Sequence, residues 1–288
     1  MPLLFGDKSG DLSRPLIMGV LNVTPDSFAS TGRFIDPELA VEHALHMLAD
    51  GADIIDIGGE STRPYAQPIT VEEEYQRVVP VITALRKQSA CIISIDTSQP
   101  TVMRAAIAAG VDMINDVRAL QVPGAMAAAA DCQLPICLMH MLDQPTTMQD
   151  APEYDDVLVA VRRFLQARIA ACQAAGIHRD RIIVDPGFGF GKTLAHNLTL
   201  LNHLDEFKTL ASPLLVGLSR KTMIGHALGL AVEDRLYASL ALAVIAVERG
   251  AHIIRCHDVK ATHDAVHMAH AVFSANKVHS KVLRSVES

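Results

Sequence analysis

Short hydrophobic runs rich in β-branched residues recur along the chain, and longer segments whose apolar residues are three or four positions apart lie between them. Runs of the first kind are typical of buried strands, and segments of the second kind are typical of helices packed on a sheet. The predicted strands are 16–22, 53–59, 91–97, 113–119, 135–141, 181–187, 213–220 and 252–259. The predicted helices include 37–50, 70–88, 155–175 and a last one over about 261–277.

Residues with end-specific roles mark the limits of these helices. Asp36 before Pro37 is typical of an N-cap followed by proline at the first helical position. Thr70 and Glu73 have the spacing of a capping box. Glycine closes a helix in the left-handed conformation without strain, and it stands before four predicted strands, as Gly51, Gly110, Gly176 and Gly250.

The alternation of strand and helix predicts right-handed parallel crossovers. Eight such units in one domain of this length predict an α/β fold of the closed (β/α)₈ type, a TIM barrel. An open doubly wound sheet is the alternative, but no dinucleotide fingerprint follows its first strand. We expect a short N-terminal extension over 1–15 that covers the barrel bottom and one barrel domain over 16–280, because no linker interrupts the pattern.

Composition narrows the class of protein. The 288 residues are 50% hydrophobic and 20% charged, with a net charge of −7. This acidic balance without a Lys/Arg-rich run argues against a nucleic-acid surface. No apolar stretch approaches the ~20 residues of a membrane span, and the N-terminus does not resemble a signal peptide. Five cysteines without a C-x-x-C spacing favour reduced thiols, so we expect a cytoplasmic protein.

The stretch IIVDPGFGFGKT at 182–193 looks at first like a nucleotide-binding loop. Pro186 stands where a phosphate loop requires glycine, and proline has no backbone N–H to offer. The dinucleotide pattern fails as well, because Lys192 replaces its last glycine. Asp185 ends the apolar run, so we expect this strand to deliver a carboxylate to the barrel rim. Lys192 is expected to be solvated.

Polar residues follow every predicted strand at its carboxyl end, where a TIM barrel places its chemistry. In chain order they are Asn22, the segment 58–64, Asp96, Asn115, Asp116, His140, Asp185, Ser219, Arg220, Lys221, Arg255, His257 and Asp258. The acidic and amide members suit a flat heterocycle with N–H donors. The cationic members suit an anion, and a guanidinium also stacks on a ring. A ligand that is both heterocycle and phosphate ester would match this mixture.

Motifs in the chain resemble, in order, those of dihydropteroate synthase, an enzyme family of the folate pathway. They are MGVLNVTPDSF (18–28), GGESTRP (58–64), SIDTS (94–98), IND (114–116), CLMHM (137–141), DPGFGFGK (185–192), GLSRK (217–221) and IRCHDV (254–259). Each motif alone is a weak signal, whereas the whole series at consecutive strand ends is specific. The family fold is a (β/α)₈ barrel, and its members are usually homodimers.

The resemblance implies a transferase reaction. The arylamine of p-aminobenzoate displaces pyrophosphate from 6-hydroxymethyl-7,8-dihydropterin diphosphate and gives 7,8-dihydropteroate. Mg²⁺ is the implied metal, with Asn22 as its protein ligand, and sulfonamides are implied competitive inhibitors. We expect no strong general base, because an aniline nitrogen is already nucleophilic. Ionised Asp96 and Asp185, favoured by nearby Lys221 and Arg255, would stabilise the cation that develops on the pterin.

The matching motif positions also imply the roles of individual residues. The group implied in catalysis is Asp96, Asp185, Lys221, Arg255 and His257. The pterin ligands are Asp96, Asn115, Asp185, Lys221, Arg255 and Met139. The diphosphate ligands are Arg255, His257 and Thr62. The benzoate side is bound by Ser219 and lined by Phe190, Phe28 and Pro64, and Arg63 completes the substrate-binding set.

One departure from the family pattern lies in the loop after the first strand. The family usually continues this loop as Ser-Phe-Ser-Asp-Gly-Gly, but here Ser30 replaces the acidic residue, and Asp26 or Asp36 is a candidate substitute. Two alternatives to a synthase stay open. A pterin-dependent corrinoid methyltransferase would not explain the NVTPDSF and ESTRP loops. A non-catalytic pterin-binding paralogue has Ser30 as its only indication in the sequence.

Overall fold

The computed structural model describes residues 2–5, 8–24, 36–61, 68–142, 148 and 152–286. The strands in these ranges are β1 (Pro2–Phe5), β2 (Lys8–Asp11), β3 (Leu16–Asn22), β4 (Ile54–Gly58), β5 (Ile92–Asp96), β6 (Met113–Asp116), β7 (Ile136–Met139), β8 (Ile182–Asp185), β9 (Leu215–Gly217) and β10 (Ile253–Cys256). The α-helices are α1 (Pro37–Ala49), α2 (Val71–Gln88), α3 (Pro100–Ala109), α4 (Ala125–Ala130), α5 (Val157–Ala174), α6 (Leu194–Asn202), α7 (Thr222–Leu228), α8 (Leu236–Glu248) and α9 (Val259–Val286).

Strands β3 to β10 form a parallel barrel with the helices outside it. Their order in the sheet is β8-β7-β6-β5-β4-β3-β10-β9. A parallel bridge between Val184 and Leu214 brings the two ends of this sheet together. The predicted (β/α)₈ barrel is confirmed. No helix among the described residues has the length and apolar character needed to cross a membrane.

The helix ends largely follow the sequence signals. The Asp36 side chain accepts a hydrogen bond from the Glu38 backbone N–H at 2.9 Å, with proline at the first helical position. Thr70 accepts from the Glu73 N–H at 3.1 Å, but the Glu73 carboxylate pairs with Arg77, so only half of the predicted capping box forms. The four predicted glycine caps all have positive φ angles, between 86° and 102°.

The predicted strand 113–119 is too long, because the chain turns after Asp116. The Asp116 carboxylate accepts hydrogen bonds from the backbone N–H groups of Arg118 and Leu120, both at 2.8 Å. Ala119 and Leu120 adopt positive φ angles of 50° and 58°. A side chain that bonds to its own backbone two to four residues onward competes with the ladder of a strand. The strand therefore ends at Asp116.

The barrel has an outer and an inner apolar core, because successive side chains of a strand point to opposite faces. Outward residues such as Ile57, Ile95 and Leu138 are fully buried against the helices. The inward residues at the amino ends of the strands form a second cluster with Leu3 and Phe5 from the β1–β2 hairpin. The hairpin thus packs against the inward residues at the amino ends of the strands.

We predict that Phe5→Ala destabilises the fold by about 3–5 kcal/mol, because Phe5 is a large side chain of the inner cluster with no exposed surface. Urea unfolding followed by circular dichroism measures this change. Leu4→Ala is the matched control, since Leu4 is 62% exposed, and its effect should stay within about 0.5 kcal/mol. Equal effects of the two substitutions would contradict this role of the hairpin.

Candidate active site

Above the inner apolar cluster, the inward side chains of the barrel become polar. Asp56, Asn115 and Asp185 are each no more than 6% exposed. Strand register places Asp56 beside Ser94 and Asp96 beside Asn115. Neighbouring strands therefore aim acids and an amide into one space, and several of the predicted pterin ligands lie together there.

Arg255 joins two of these acids. Its Nε donates to Asp56 Oδ2 at 2.6 Å, and its Nη2 donates to Asp96 Oδ2 at 2.8 Å. Asn115 Nδ2 donates to the same Asp56 oxygen at 3.1 Å. The guanidinium is therefore held by carboxylates from two other strands, β4 and β5, and Asn115 on β6 supports it through Asp56.

Asp56 was missed by the sequence analysis, which considered only residues at strand ends. It is fully buried inside β4, and its Oδ1 has no hydrogen-bond partner among the described residues. A carboxylate in the middle of the apolar run DIIDIGG was the signal that could have found it, because a buried charge requires a partner. Here that partner is Arg255.

Burial dominates the ionisation of this layer. It raises the pKa of Asp96 to about 7; Arg255 lowers this pKa, and Asp56 raises it further. Burial also raises the pKa of Asp185, while the Gly187 N–H and Lys221 lower it. The expected support from Lys221 and Arg255 is present, but it does not cancel the cost of burial. For Arg255 the neighbouring charges outweigh burial. Burial lowers its pKa, but Asp56 and Asp96 raise it above the ordinary value for arginine.

The Gly-rich loop after β8 lies beside Asp185 and Lys221. Asp185 Oδ1 accepts a hydrogen bond from the Gly187 N–H at 2.7 Å. Lys221 Nζ donates to the Phe188 carbonyl and stands 4.3 Å from the centroid of the Phe190 ring. Burial lowers the pKa of Lys221 to about 8, and Asp185 raises it. This arrangement gives the loop an aromatic ring and a cation on the side that faces the site.

Lys192 is not solvated, so the expectation from the sequence was wrong. It is only 3% exposed. Its Nζ lies 2.8 Å from the Gly187 carbonyl oxygen, 3.0 Å from that of Phe190 and 2.9 Å from His140 Nδ1. These polar atoms surround the amine in place of water.

Two of the polar residues at strand ends point away from the barrel interior. Asp116 is fully buried and holds the turn described above. His140 is 4% exposed and packs edge-on against Phe164, with ring centroids 4.9 Å apart. Burial lowers the pKa of His140 to about 2, so its imidazole is neutral. Met139, one residue earlier, is 4% exposed and points inward.

The loops after β9 and β10 are bonded to each other. Ser219 Oγ accepts from the His257 backbone N–H at 3.2 Å and lies 3.2 Å from His257 Nδ1. Arg220 has a positive φ of 55° and pairs with Asp258 through two hydrogen bonds of 2.8 Å. The predicted anion ligands Ser219 and His257 are therefore neighbours.

Asn22 is the predicted protein ligand of the metal. Asn22 is partly exposed at the carboxyl end of β3. Within the described ranges no group of three or more His, Cys, Asp or Glu side chains could hold a metal ion. The predicted ligands that lie outside the described residues are Phe28, Thr62, Arg63 and Pro64, and the candidate acid Asp26 and the divergent Ser30 lie outside them as well.

Comparison with known proteins gives consistent results. The pterin binding enzyme family matches residues 18–257. The dihydropteroate synthase of Escherichia coli strain K12 is 52% identical over 277 residues, which cover 96% of this chain and 98% of the relative. A Yersinia pestis dihydropteroate synthase solved with a sulfonamide drug superposes with a TM-score of 0.91 at 50% identity, covering 95% of this chain and 100% of that one. The Xanthomonas albilineans enzyme in complex with 7,8-dihydropteroate superposes with a TM-score of 0.86 at 47% identity. The match covers 94% of this chain and 98% of that one.

We predict that Arg255→Met destabilises the fold by about 3–5 kcal/mol near neutral pH, because two buried carboxylates lose their shared cation. Without the guanidinium the pKa of Asp96, already about 7, rises further. A carboxyl with a higher pKa in the folded than in the unfolded state destabilises the fold as pH rises, so the loss should be larger at about pH 8.5 than at about pH 5.5.

Urea unfolding at both pH values measures this effect. Arg104→Met is the matched control, because the Arg104–Asp131 pair is more than half exposed on both sides. The control should lose no more than about 1 kcal/mol, with little dependence on pH. A loss for Arg255→Met that grows toward acidic pH would contradict the pairing argument.

Proposed function

The chain belongs to the dihydropteroate synthase family of pterin binding enzymes, and we propose that its barrel mouth joins p-aminobenzoate to 6-hydroxymethyl-7,8-dihydropterin diphosphate. The products are 7,8-dihydropteroate and pyrophosphate, so the enzyme is a transferase. The observation that carries this proposal is the single polar layer in which Asp96, Asn115 and Asp185 face the cations Lys221 and Arg255.

The acids and the amide are proposed to bind the pterin edge. Asp185 and Asn115 are buried on rigid strands, which orients them before the ligand arrives. Met139 is buried on the inward face of the neighbouring strand and would contact the flat ring. The guanidinium of Arg255 is held across the layer by Asp56 and Asp96, so it can stack on the ring without moving.

The diphosphate is proposed to be bound by Arg255, His257 and Thr62. Arg255 lies in β10 and His257 is the first residue after that strand, and Thr62 would join them. Pyrophosphate departs with its bonding electron pair, and the ring is left cationic until the amine attacks. Burial raises the pKa of Asp96 and of Asp185, and the developing positive charge would favour the ionised form of both. Their attraction for that charge in the buried layer would lower the barrier.

Asn22 fits the proposed Mg²⁺ because its amide oxygen is a hard donor at the partly exposed mouth of the barrel. Mg²⁺ commonly has few protein ligands and completes its shell with water and phosphate oxygens. The metal, when bound, would neutralise the leaving diphosphate. No dedicated carboxylate cage is required for this role.

The arylamine is proposed to enter beside the Gly-rich loop. Phe190 is partly exposed there and lies against the Lys221 ammonium. Ser219, beside the start of α7, would donate a hydrogen bond from its hydroxyl to the benzoate carboxylate. Phe28, Arg63 and Pro64 would complete this side. The same ligand shape supports competitive inhibition by sulfonamides, one of which is bound by the Yersinia pestis relative. The methyltransferase and paralogue alternatives gain no support from the comparisons.

We further propose that 1–15 is a bottom cover for a barrel domain over 16–280 and that the protein is a cytoplasmic homodimer. The packing of Leu3 and Phe5 supports the cover. The free thiols of all five cysteines support the compartment. Exposed apolar side chains on the packed helices α8 and α9 support the dimer: Tyr237 at 81%, Ile245 at 37%, Met268 at 65% and Val272 at 53%.

A coupled assay for pyrophosphate tests the proposed reaction. The protein should release pyrophosphate only when both substrates are present, and methyl transfer to a corrinoid should not occur. Asp185→Asn should weaken binding of 6-hydroxymethylpterin by about 1–3 kcal/mol in calorimetry, the range for a hydrogen bond to a charged group. The exposed control Asp131→Asn should bind normally. Normal pterin affinity with no turnover would favour a non-catalytic paralogue instead.

Light scattering after size exclusion tests the proposed dimer. The wild type should elute as a dimer, and the double variant Tyr237→Lys with Ile245→Glu should elute as a monomer, because buried unpaired charges oppose association. Leu198→Lys on α6 is the control, since Leu198 is 46% exposed but lies on another helix. A monomeric wild type would refute the proposal.

A further inference from the structure

The buried amine of Lys192 has no role in the reaction proposed above. It lies on the Gly-rich loop but points back beneath it, toward the carbonyl oxygens of Gly187 and Phe190 and toward His140. A buried amine is costly unless its hydrogen bonds are satisfied. Lys192 therefore stays in place by binding the loop itself.

These bonds persist whether or not the amine carries a proton. Burial lowers the pKa of Lys192, Asp185 raises it and Lys221 lowers it again. An ammonium donates to both carbonyls and to His140. A neutral amine still has two N–H bonds for the carbonyls, and its lone pair accepts from the imidazole. The contact with His140 is maintained because one of the two nitrogens can always donate.

The loop needs such a restraint because glycine gives it little conformational preference of its own. Gly187, Gly189 and Gly191 all have positive φ, at 70°, 79° and 64°. Gly187 lies so close to β7 that a side-chain carbon there would be 1.9 Å from the His140 carbonyl oxygen. Close approach excludes stiffer residues, so hydrogen bonds must define the path of the loop.

Two lysines bind successive backbone carbonyls along this path. Lys221 donates to the Phe188 carbonyl from the side of the site. Lys192 binds the carbonyls before and after that one from beneath. The carbonyl that Lys192 binds and the aromatic ring belong to the same residue, Phe190. The centroid of that ring lies 4.3 Å from Lys221 Nζ.

We infer that Lys192 is a positioning residue that fixes the Phe190 ring for the arylamine, with His140 as its anchor. His140 supplies the anchor because it is buried directly after β7 and its ring packs edge-on against Phe164 of α5. The inference rests on the proposed function only in naming the ligand of Phe190. Asp185 stands on β8 and keeps its own contact with the Gly187 N–H, so pterin binding depends less on Lys192 than arylamine binding does.

Lys192→Met removes the N–H donors at nearly constant side-chain length. We expect KM for p-aminobenzoate to rise about tenfold or more, the effect of about one lost hydrogen bond on an aligned ligand. The Kd for 6-hydroxymethylpterin should change less than about threefold. Lys87→Met is the control, because Lys87 is exposed at the end of α2. A general structural defect would weaken both ligands together, and that result would overturn the inference.

A double-mutant cycle tests whether Lys192 acts through Phe190. If it does, Lys192→Met should add little to the KM increase already caused by Phe190→Leu. Additive effects would overturn the inference.

A tryptophan at 190 gives a readout that does not require turnover, because the chain has no tryptophan of its own. In the Phe190→Trp background, Lys192→Met should increase acrylamide quenching of the fluorescence. Unchanged quenching would overturn the inference. If the wild type releases no pyrophosphate while quenching still responds, the proposed function fails and the positioning role stands.

His140 variants keep the test decisive should Lys192→Met fail to fold. His140→Gln retains a side-chain acceptor for the amine, whereas His140→Leu does not. The leucine variant should raise KM for p-aminobenzoate and increase quenching at position 190, and the glutamine variant should restore both toward wild type. Equal behaviour of the two variants would count against His140 as the anchor and against the inference.

Discussion

The Arg255 guanidinium, held between Asp56 and Asp96, is the interaction on which the mouth of this barrel depends. A charge inside a barrel is tolerated only when it is paired and hydrogen-bonded. Burial raises the pKa of Asp96 to about 7, the cation shared by the two carboxylates only partly offsets this rise, and the second carboxylate adds to it. A ligand that brings N–H donors, and then a developing positive charge, relieves this imbalance. The same excess of acid that weakens the fold therefore favours binding and catalysis.

The alternation of side chains along each strand separates this chemistry from structural polar groups. Asn115 and Met139 point into the barrel, whereas their immediate neighbours Asp116 and His140 are buried outside it. The outward pair still serves the mouth indirectly, since Asp116 shapes the turn after β6 and His140 contacts the buried amine of Lys192. A shift of one residue in strand register would exchange the two sets, which is why the apolar outward residues such as Ile57, Ile95 and Leu138 matter for the site.

Much of this arrangement could be predicted from the sequence, because hydrophobic period and capping residues define the strands and the barrel, and the barrel rule locates the chemistry. Local sequence patterns did not identify Asp56, because its importance comes from Arg255, a partner 199 positions away on β10. The burial of Lys192 was not predicted, because lysine is usually exposed. Its burial depends on His140, 52 positions earlier, and on the path of the Gly-rich loop. Pairings of this kind arise from tertiary contact, which residue type and local spacing do not encode.

The loop with the Gly-Lys-Thr sequence that suggested a phosphate site directs its hydrogen-bonding groups differently from a phosphate loop. A phosphate loop turns its backbone N–H groups toward an anion and extends its lysine to the same ligand. Here the Gly187 and Gly189 N–H groups are already bonded to side-chain oxygens of Asp185 and Asn197. The lysine turns back to the loop carbonyls. Such a loop has few donors left for phosphate, but it is rigid, and rigidity is what an aromatic ring needs in order to orient a weakly bound arylamine.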